Sequence, residues 1–96
     1  DYAAERAGIV VGFLSVRLSL DTAIGELGLN AVHPDWAGEG IGTEMYRFVI
    51  ERMRQAGMRV ATVSTGGDPS HAPARRAYEK AGFIVGIPSI WLCQKL

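Results

Sequence analysis

Apolar and β-branched residues dominate two long stretches near the start of the chain, "GIVVGFLSVRLSL" (8–20) and "AIGELGLNAV" (23–32). Stretches rich in apolar and β-branched residues and bounded by turn residues are typical of strands. Only Asp21 and Thr22 separate the two stretches, so we predict neighbouring antiparallel strands. The segment from Tyr2 to Glu5 predicts a further strand before them, which turns at Ala7-Gly8.

The spacing of apolar residues becomes helical after residue 40. From Ile41 onward they recur three or four positions apart, at Met45, Phe48, Val49 and Met53. Gly57 follows where a helix commonly ends in a left-handed residue. The pattern predicts a helix of four turns.

A second helix is indicated further along the chain. Its apolar residues are Ala74, Ala77, Tyr78 and Ala81. We expect it to be capped by Asp68 or Ser70 and to stop at Gly82.

Three further stretches predict strands. "MRVATVS" (58–64) lies between the helices, and "FIVGI" (83–87) and "SIWLCQK" (89–95) follow the second helix on either side of Pro88. Cys93 is expected to be buried in the last of them, as a small apolar residue. The predicted fold class is α/β (α+β), with a mixed, mostly antiparallel central sheet and two helices packed on it.

Composition narrows the possible partners. The 96 residues predict one domain, 1–96, and ten basic residues balance ten acidic ones. Zero net charge argues against a nucleic-acid groove or a polybasic membrane patch, so a small-molecule partner is favoured. The chain has no apolar run long enough to cross a membrane and one cysteine, which makes the cytoplasm the expected location.

Histidines and aspartates do not predict a metal site. His33, Asp35, Asp68 and His71 are separated by intervals that do not match the spacing of common zinc ligands. We therefore expect no metal.

The segment "HPDWAGEGIGTEMY" (33–46) joins a predicted strand to the first helix and contains Gly38, Gly40 and Gly42. Each glycine in an ordered segment costs about 0.5–1 kcal/mol relative to alanine. A tight turn is one explanation. The other is an anion site, in which bare backbone N–H groups and the positive end of the helix face a phosphate.

Two segments together, "AVHPDWAGEGIG" (31–42) and "HAPARRAYEKAGF" (71–83), resemble the GCN5-related N-acetyltransferase (GNAT) superfamily. The resemblance implies a GNAT-like acyl-CoA N-acyltransferase fold in which the first segment holds the pyrophosphate of acetyl-CoA through backbone amides. The second segment flanks the pantetheine and the thioester. The cofactor-binding residues implied are Ala31, Val32, Ala37, Gly38, Glu39, Gly40, Ile41, Gly42, Thr43, His71, Ala74 and Arg75.

The chain departs from the family pattern at several points. Ala37 stands where the family usually has Arg or Gln, and Glu39 adds a carboxylate to the loop. His71 takes the position of an asparagine, and Arg75 or Arg76 is a candidate to replace the missing positive charge. The family fold also begins with a strand and two helices that build much of the acceptor pocket, so we expect a fold truncated at its N-terminus.

The resemblance also implies two catalytic residues. Glu26 aligns with the glutamate that acts as general base in histone-acetylating members, and a solvent-facing glutamate is the alternative. Strand alternation predicts that Glu26, Gly28 and Asn30 share one polar face. Tyr78 takes the position of the tyrosine that hydrogen-bonds the departing thiolate, and a core tyrosine is the alternative.

The predicted function is transfer of an acetyl group from acetyl-CoA directly to a primary amine of a small molecule or peptide. A non-catalytic CoA-binding or structural module is the alternative. Strand exchange through the C-terminal "WLCQKL" is one route to a homodimer.

Overall fold

The central sheet has four strands in the order β1-β2-β3-β4. The computed structural model describes residues 1–67 and 69–96, so Asp68, one of the two predicted helix caps, lies outside the described residues. β1 (Tyr2–Arg6), β2 (Ile9–Ser19) and β3 (Ile24–Val32) pair as antiparallel neighbours. β4 (Val60–Val63) pairs with β3 in parallel, which confirms the mixed, mostly antiparallel sheet.

Both predicted helices form. α1 spans Ile41–Gln55, and Gly57 follows it with a φ of 90°, where its N–H donates to the carbonyl of Arg54. α2 spans Ala72–Lys80 and is followed by Gly82 with a φ of 107°. Both helices thus end at left-handed glycines, as their sequences predict.

The start of α2 differs from the prediction. A 3-10 turn, Pro69–His71, precedes the helix, and His71 is the N-cap residue without a side-chain capping bond. Ser70 lies inside this turn, with its Oγ 3.3 Å from Nδ1 of His71, and is therefore not the cap. Pro73 near the helix start supplies the preset backbone angle of a first turn, so the helix begins without a capping hydroxyl.

The core lies between α1 and one face of the sheet. Leu14 is completely buried, and Val11 and Val49 are 1% exposed. The remaining core residues are Leu27, Ile41, Met45, Tyr46, Met53, Met58 and Tyr78. Helical spacing in α1 and alternation in β2 and β3 bring these side chains to one layer.

The two C-terminal strands predicted for 83–87 and 89–95 are absent from the described structure. Residues 84–96 have no regular secondary structure, and their large apolar side chains are 83–109% exposed. Cys93 is exposed, so its predicted burial is also wrong. An apolar segment forms a strand only when it pairs with the edge of another strand. The outer edge of β4 is only four residues long, and Pro88 has no backbone N–H to donate to it.

Candidate functional site

A β-bulge interrupts the pairing of β3 with β2. Leu14 lies opposite Asn30, but Val16 lies opposite Leu27, so β3 has one residue more than β2 across this interval. Gly28 belongs to the bulge, and a Cβ on it would come within 2.5 Å of Oγ of Ser15. A side chain at residue 28 would therefore require the Ser15 side chain to move, which favours glycine at this position.

The bulge reverses which face the following residues occupy. Leu27 is buried beneath the helices, and Asn30 lies on that same face, three residues later. Glu26 is exposed on the opposite face, between Arg17 of β2 and Thr62 of β4 in the register. The prediction that Glu26 and Asn30 share a face is wrong because an added residue shifts the alternation by one.

The bulge also marks the point where β3 and β4 separate. Their parallel pairing runs from Ile24 with Val60 to Leu27 with Val63, and β4 ends there. β3 continues to Val32. Beyond Leu27 β3 therefore has no β4 residue beside it, and a gap opens between the two strands.

The glycine loop at the end of β3 has a left-handed backbone at two positions. Gly38 has a φ of 82° and Gly40 a φ of 81°, values that a side chain disfavours. A 3-10 turn, Pro34–Trp36, leads into this loop, and Trp36 packs against the core. These two glycines are explained by the turn itself.

Gly42 is not explained by the turn. It lies in the first turn of α1, and a Cβ there would meet only the Tyr46 side chain at 3.6–3.7 Å, an ordinary contact distance. The first backbone bond of the helix runs from the N–H of Glu44 to the carbonyl of Gly40, at 3.0 Å. The N–H groups of Ile41, Gly42 and Thr43 precede it and are donors for a ligand at the helix end.

The charges around this helix end are mixed. Arg6 of β1 forms an ion pair with Glu44 in the first turn of α1. Glu39 is exposed in the loop, beside Gly40, and Ala37 contributes no charge. Backbone dipoles and N–H donors are therefore the main source of attraction for an anion here, while Arg6 offsets one of the two nearby carboxylates.

Tyr78 of α2 is 6% exposed and contacts both β3 and α1. Its hydroxyl oxygen lies 3.1 Å from Nδ2 of Asn30, and its ring centroid lies 4.7 Å from that of Tyr46. Its ring also lines an open groove of about 790 Å³, bounded by β4, α2 and the segment after α2. Tyr78 thus reaches from the core to the side of the sheet where β3 and β4 separate.

The remaining predicted cofactor residues of α2 lie near its first turns. Ala74 is half-buried and packs against the core, and His71 is exposed at the helix start. Nη1 of Arg75 donates to the carbonyl of Gly66 at 2.6 Å, which holds the loop after β4. Arg76 is exposed.

The predicted loop residues fall into one region. Ala31 and Val32 end β3, with Ala31 exposed and Val32 packed against the core. Ala37, Gly38, Glu39 and Gly40 are exposed ahead of α1, Ile41 is buried, and Gly42 and Thr43 are half-buried. The predicted loop residues thus form one continuous segment that runs from the end of β3 to the first turn of α1.

The described residues were compared with two further kinds of site, metal centres and membrane spans, and form neither. Over 1–67 and 69–96, no group of three or more His, Cys, Asp or Glu side chains is arranged to hold a metal ion. Neither helix in that part of the chain has the length and apolar character needed to span a bilayer.

A comparison with protein families places most of the chain in a known family. The sequence model of the acetyltransferase (GNAT) family matches residues 1–83. The chain belongs to the GNAT family. The resemblance seen in the two sequence segments is therefore confirmed.

Individual GNAT relatives share the fold to different degrees. A mycothiol acetyltransferase of Sanguibacter keddieii is 33% identical over 85 residues, which are 83% of this chain and 26% of that protein. An IAA acetyltransferase from Bacillus cereus superposes with a TM-score of 0.77 at 27% identity, over 88% of this chain and 55% of that one. The present chain thus spans about a quarter of the curated relative and about half of the solved one.

A third GNAT structure is similar in fold alone. AAC(6')-Iy, in complex with the bisubstrate analog CoA-S-monomethyl-acetylneamine, gives a TM-score of 0.79 at 15% identity, over 98% of this chain and 67% of that one. The GNAT acyl-CoA N-acyltransferase fold predicted from the sequence is thereby confirmed.

Two residues beside Tyr78 differ from what the sequence predicts. Asn30 was assigned to the face of Glu26, and Tyr46 was not singled out at all. Gly28 in a strand interior is a signal for a bulge that could have corrected the first error. Tyr46 follows Gly42 by four residues, which places both on one side of α1 and could have drawn attention to it.

Proposed function

We propose that this GNAT chain carries the acetyl-CoA site and the catalytic groups for transferring an acetyl group to a primary amine of a small molecule or peptide. The observation that carries the proposal is the start of α1. There, three backbone N–H donors lie beside Gly42, and the packing within the protein does not require Gly42 to lack a side chain.

The binding site for the pyrophosphate is the N-terminus of α1. The N–H groups of Ile41, Gly42 and Thr43 donate to phosphate oxygens, and the helix dipole adds to the attraction. Hydrogen bonds to a charged group contribute about 1.5–3 kcal/mol each, so the site does not need the arginine or glutamine that Ala37 replaces. The pantetheine arm then extends along β3 beyond Leu27, where β4 has ended and the gap opens.

The reacting groups approach the gap from opposite faces of the sheet. Tyr78 lies on the helix side, and Glu26 lies on the open side, which leaves that side for the acceptor amine. Glu26 accepts the proton that the amine loses as its nitrogen forms a bond to the acetyl carbonyl carbon. The C–S bond breaks, and the Tyr78 hydroxyl donates a hydrogen bond to the sulfur that receives the electron pair.

Hydrogen bonding explains the role of Tyr78 better than full proton transfer. A phenol with an ordinary pKa near 10 is a weaker acid than a thiol with a pKa of about 8.5, so complete transfer to the thiolate is uphill by about 2 kcal/mol. A donated hydrogen bond stabilises the developing negative charge without that cost. Loss of the hydroxyl is therefore expected to slow the reaction without abolishing it.

The rival function is CoA binding without transfer. It is favoured by the position of Glu26, which is exposed on the face opposite Tyr78 and whose side chain makes no hydrogen bond or ion pair with the other residues that the structure describes. The two functions share the glycine loop and differ in whether Glu26 reaches a reacting amine.

The first experiment separates binding from transfer. Calorimetric titration with acetyl-CoA is compared with titration with S-acetylpantetheine, which lacks the pyrophosphate. Saturable binding of acetyl-CoA, with affinity lost in S-acetylpantetheine, supports the assignment of the helix end. Equal affinity for both compounds contradicts it.

The second experiment tests transfer with a panel of amines. An aminoglycoside, a polyamine, a free amino acid and a peptide with a free N-terminus are incubated with acetyl-CoA, and thiol release is followed. Thiol release that requires both Glu26 and an amine supports acetyl transfer. Tight binding of acetyl-CoA without release for any amine supports the rival.

A further inference from the structure

Three polar side chains from three different elements meet beside the gap. Oη of Tyr46, on α1, donates to Oδ1 of Asn30, on β3, at 2.7 Å. Nδ2 of Asn30 in turn donates to Oη of Tyr78, on α2, at 3.1 Å. The bulge at Gly28 makes this meeting possible, because it turns Asn30 toward the helices.

A neighbouring carbonyl determines which way the Asn30 amide points. Nδ2 of Asn30 also lies 3.2 Å from the carbonyl oxygen of Gly28. The opposite orientation would place Oδ1 against that carbonyl, and two acceptors would then face each other. The nitrogen is therefore on the side of Tyr78, and the oxygen is on the side of Tyr46.

Burial favours the protonated form of Tyr46. Tyr46 is 3% exposed, and its burial, with the adjacent Tyr78 phenol, raises the pKa of the Tyr46 hydroxyl above its ordinary value. Tyr46 thus remains a donor to Asn30 at neutral and moderately alkaline pH. The stacked rings of Tyr46 and Tyr78 restrict the motion of both phenols.

We propose that Asn30 and Tyr46 are positioning residues that orient the Tyr78 hydroxyl toward the leaving sulfur. Asn30 occupies a lone pair of the Tyr78 oxygen, so the proton of Tyr78 points away from Asn30. Tyr46 holds the amide of Asn30 in the orientation that this requires. The inference rests on the proposed acetyl transfer, in which the Tyr78 hydroxyl donates to the sulfur of CoA.

The test uses hydroxylamine as the acceptor. Its nitrogen is unprotonated at neutral pH, so the reaction needs little help from a base and reports mainly on departure of the thiolate. A C–N bond to the acetyl carbon forms, the C–S bond breaks, and the nitrogen loses a proton to water while the leaving thiolate takes one up. Acetohydroxamate and CoA are measured after subtraction of the uncatalysed rate.

The variants compared are Tyr46→Phe, Asn30→Leu, Tyr78→Phe and the double variant Tyr46→Phe/Tyr78→Phe. Tyr2→Phe is the control, since Tyr2 packs against Phe48 away from the network. Tyr46→Phe keeps the ring that stacks on Tyr78 and removes only the hydroxyl, so it remains informative where Asn30→Leu fails to fold.

We expect kcat to fall by roughly three- to tenfold in Tyr46→Phe and Asn30→Leu, the size of one lost hydrogen bond, while the KM for acetyl-CoA is unchanged. In the Tyr78→Phe background, Tyr46→Phe should produce no further loss, because the group that it orients is gone. A residue that only maintains the fold would lower the rate in both backgrounds.

A spectroscopic measurement is independent of turnover. The chain has three tyrosines, so labelling them with ¹³C at Cζ gives three signals that the phenylalanine variants assign. We expect the Tyr78 signal to shift in Tyr46→Phe and Asn30→Leu, and to stay in place in Tyr2→Phe.

The outcomes separate the two proposals. An unshifted Tyr78 signal, or normal kcat in Tyr46→Phe and Asn30→Leu alongside a slow Tyr78→Phe, overturns the positioning role and leaves acetyl transfer intact. A wild-type protein that binds acetyl-CoA and does not acetylate hydroxylamine overturns the transfer proposal and, with it, the role of the network.

Discussion

Substitution of Gly42 is expected to change stability and cofactor binding in opposite directions. A Cβ at this position would contact only Tyr46, at 3.6–3.7 Å, so alanine fits without strain. Replacing glycine by alanine inside a helix stabilises a protein by about 0.5–1 kcal/mol. An aspartate there adds about 0.3–1 kcal/mol more through the positive end of the helix.

Binding responds differently because the new side chain occupies the approach to the helix end. Loss of one hydrogen bond to a charged group costs about 1.5–3 kcal/mol, which is roughly a 10- to 150-fold loss of affinity. Gly42→Asp adds repulsion between its carboxylate and the pyrophosphate. At a separation of about 5 Å and an effective dielectric constant of about 20, this repulsion amounts to about 3 kcal/mol.

The assay combines calorimetric titration with acetyl-CoA and urea unfolding of the free protein. Gln55→Glu is the matched control, since it adds one negative charge at the other end of the same helix. We expect its affinity for acetyl-CoA to match the wild type. Gly42→Ala and Gly42→Asp should be at least as stable as the wild type and bind less tightly, a combination that misfolding does not produce. Wild-type affinity in both Gly42 variants would refute the assignment of this helix end to the pyrophosphate, and a loss of stability would refute the packing argument.

Three further predictions concern the base, the core and alkaline pH. Glu26→Gln should leave acetyl-CoA affinity unchanged and make the transfer rate depend on the free-base fraction of the acceptor, so an unaltered pH–rate profile would remove Glu26 from the mechanism. Leu14→Ala should lower the free energy of unfolding by about 2–5 kcal/mol, because Leu14 is fully buried, and a loss below 1 kcal/mol in urea unfolding would contradict the core described above. Because burial raises the pKa of Tyr46, the native state keeps a proton that the unfolded chain releases above pH 10. Stability should therefore fall there with a slope that approaches about 1.4 kcal/mol per pH unit, and Tyr46→Phe should remove that contribution when unfolding is measured between about pH 9 and 11.

The sequence determined the local elements because their signals are local. Alternation and β-branched residues set β2 and β3 to within a residue or two, and helical spacing set α1 from Ile41. Gly57 and Gly82 stop the two helices for the reason read from the sequence, which is that the backbone there is left-handed. The two GNAT segments likewise identified the family, because their residues occur in order along the chain.

The tertiary structure decided which groups meet. Gly28 lies against Ser15 in the bulge, and the bulge separates Asn30 from Glu26 and turns Asn30 toward the helices. The alternation of residues along a strand does not reveal a bulge, so it predicts the wrong face for Asn30. Whether "FIVGI" and "SIWLCQK" form strands depends on whether they pair with the edge of another strand in the folded sheet. The local sequence of the two segments does not determine that pairing.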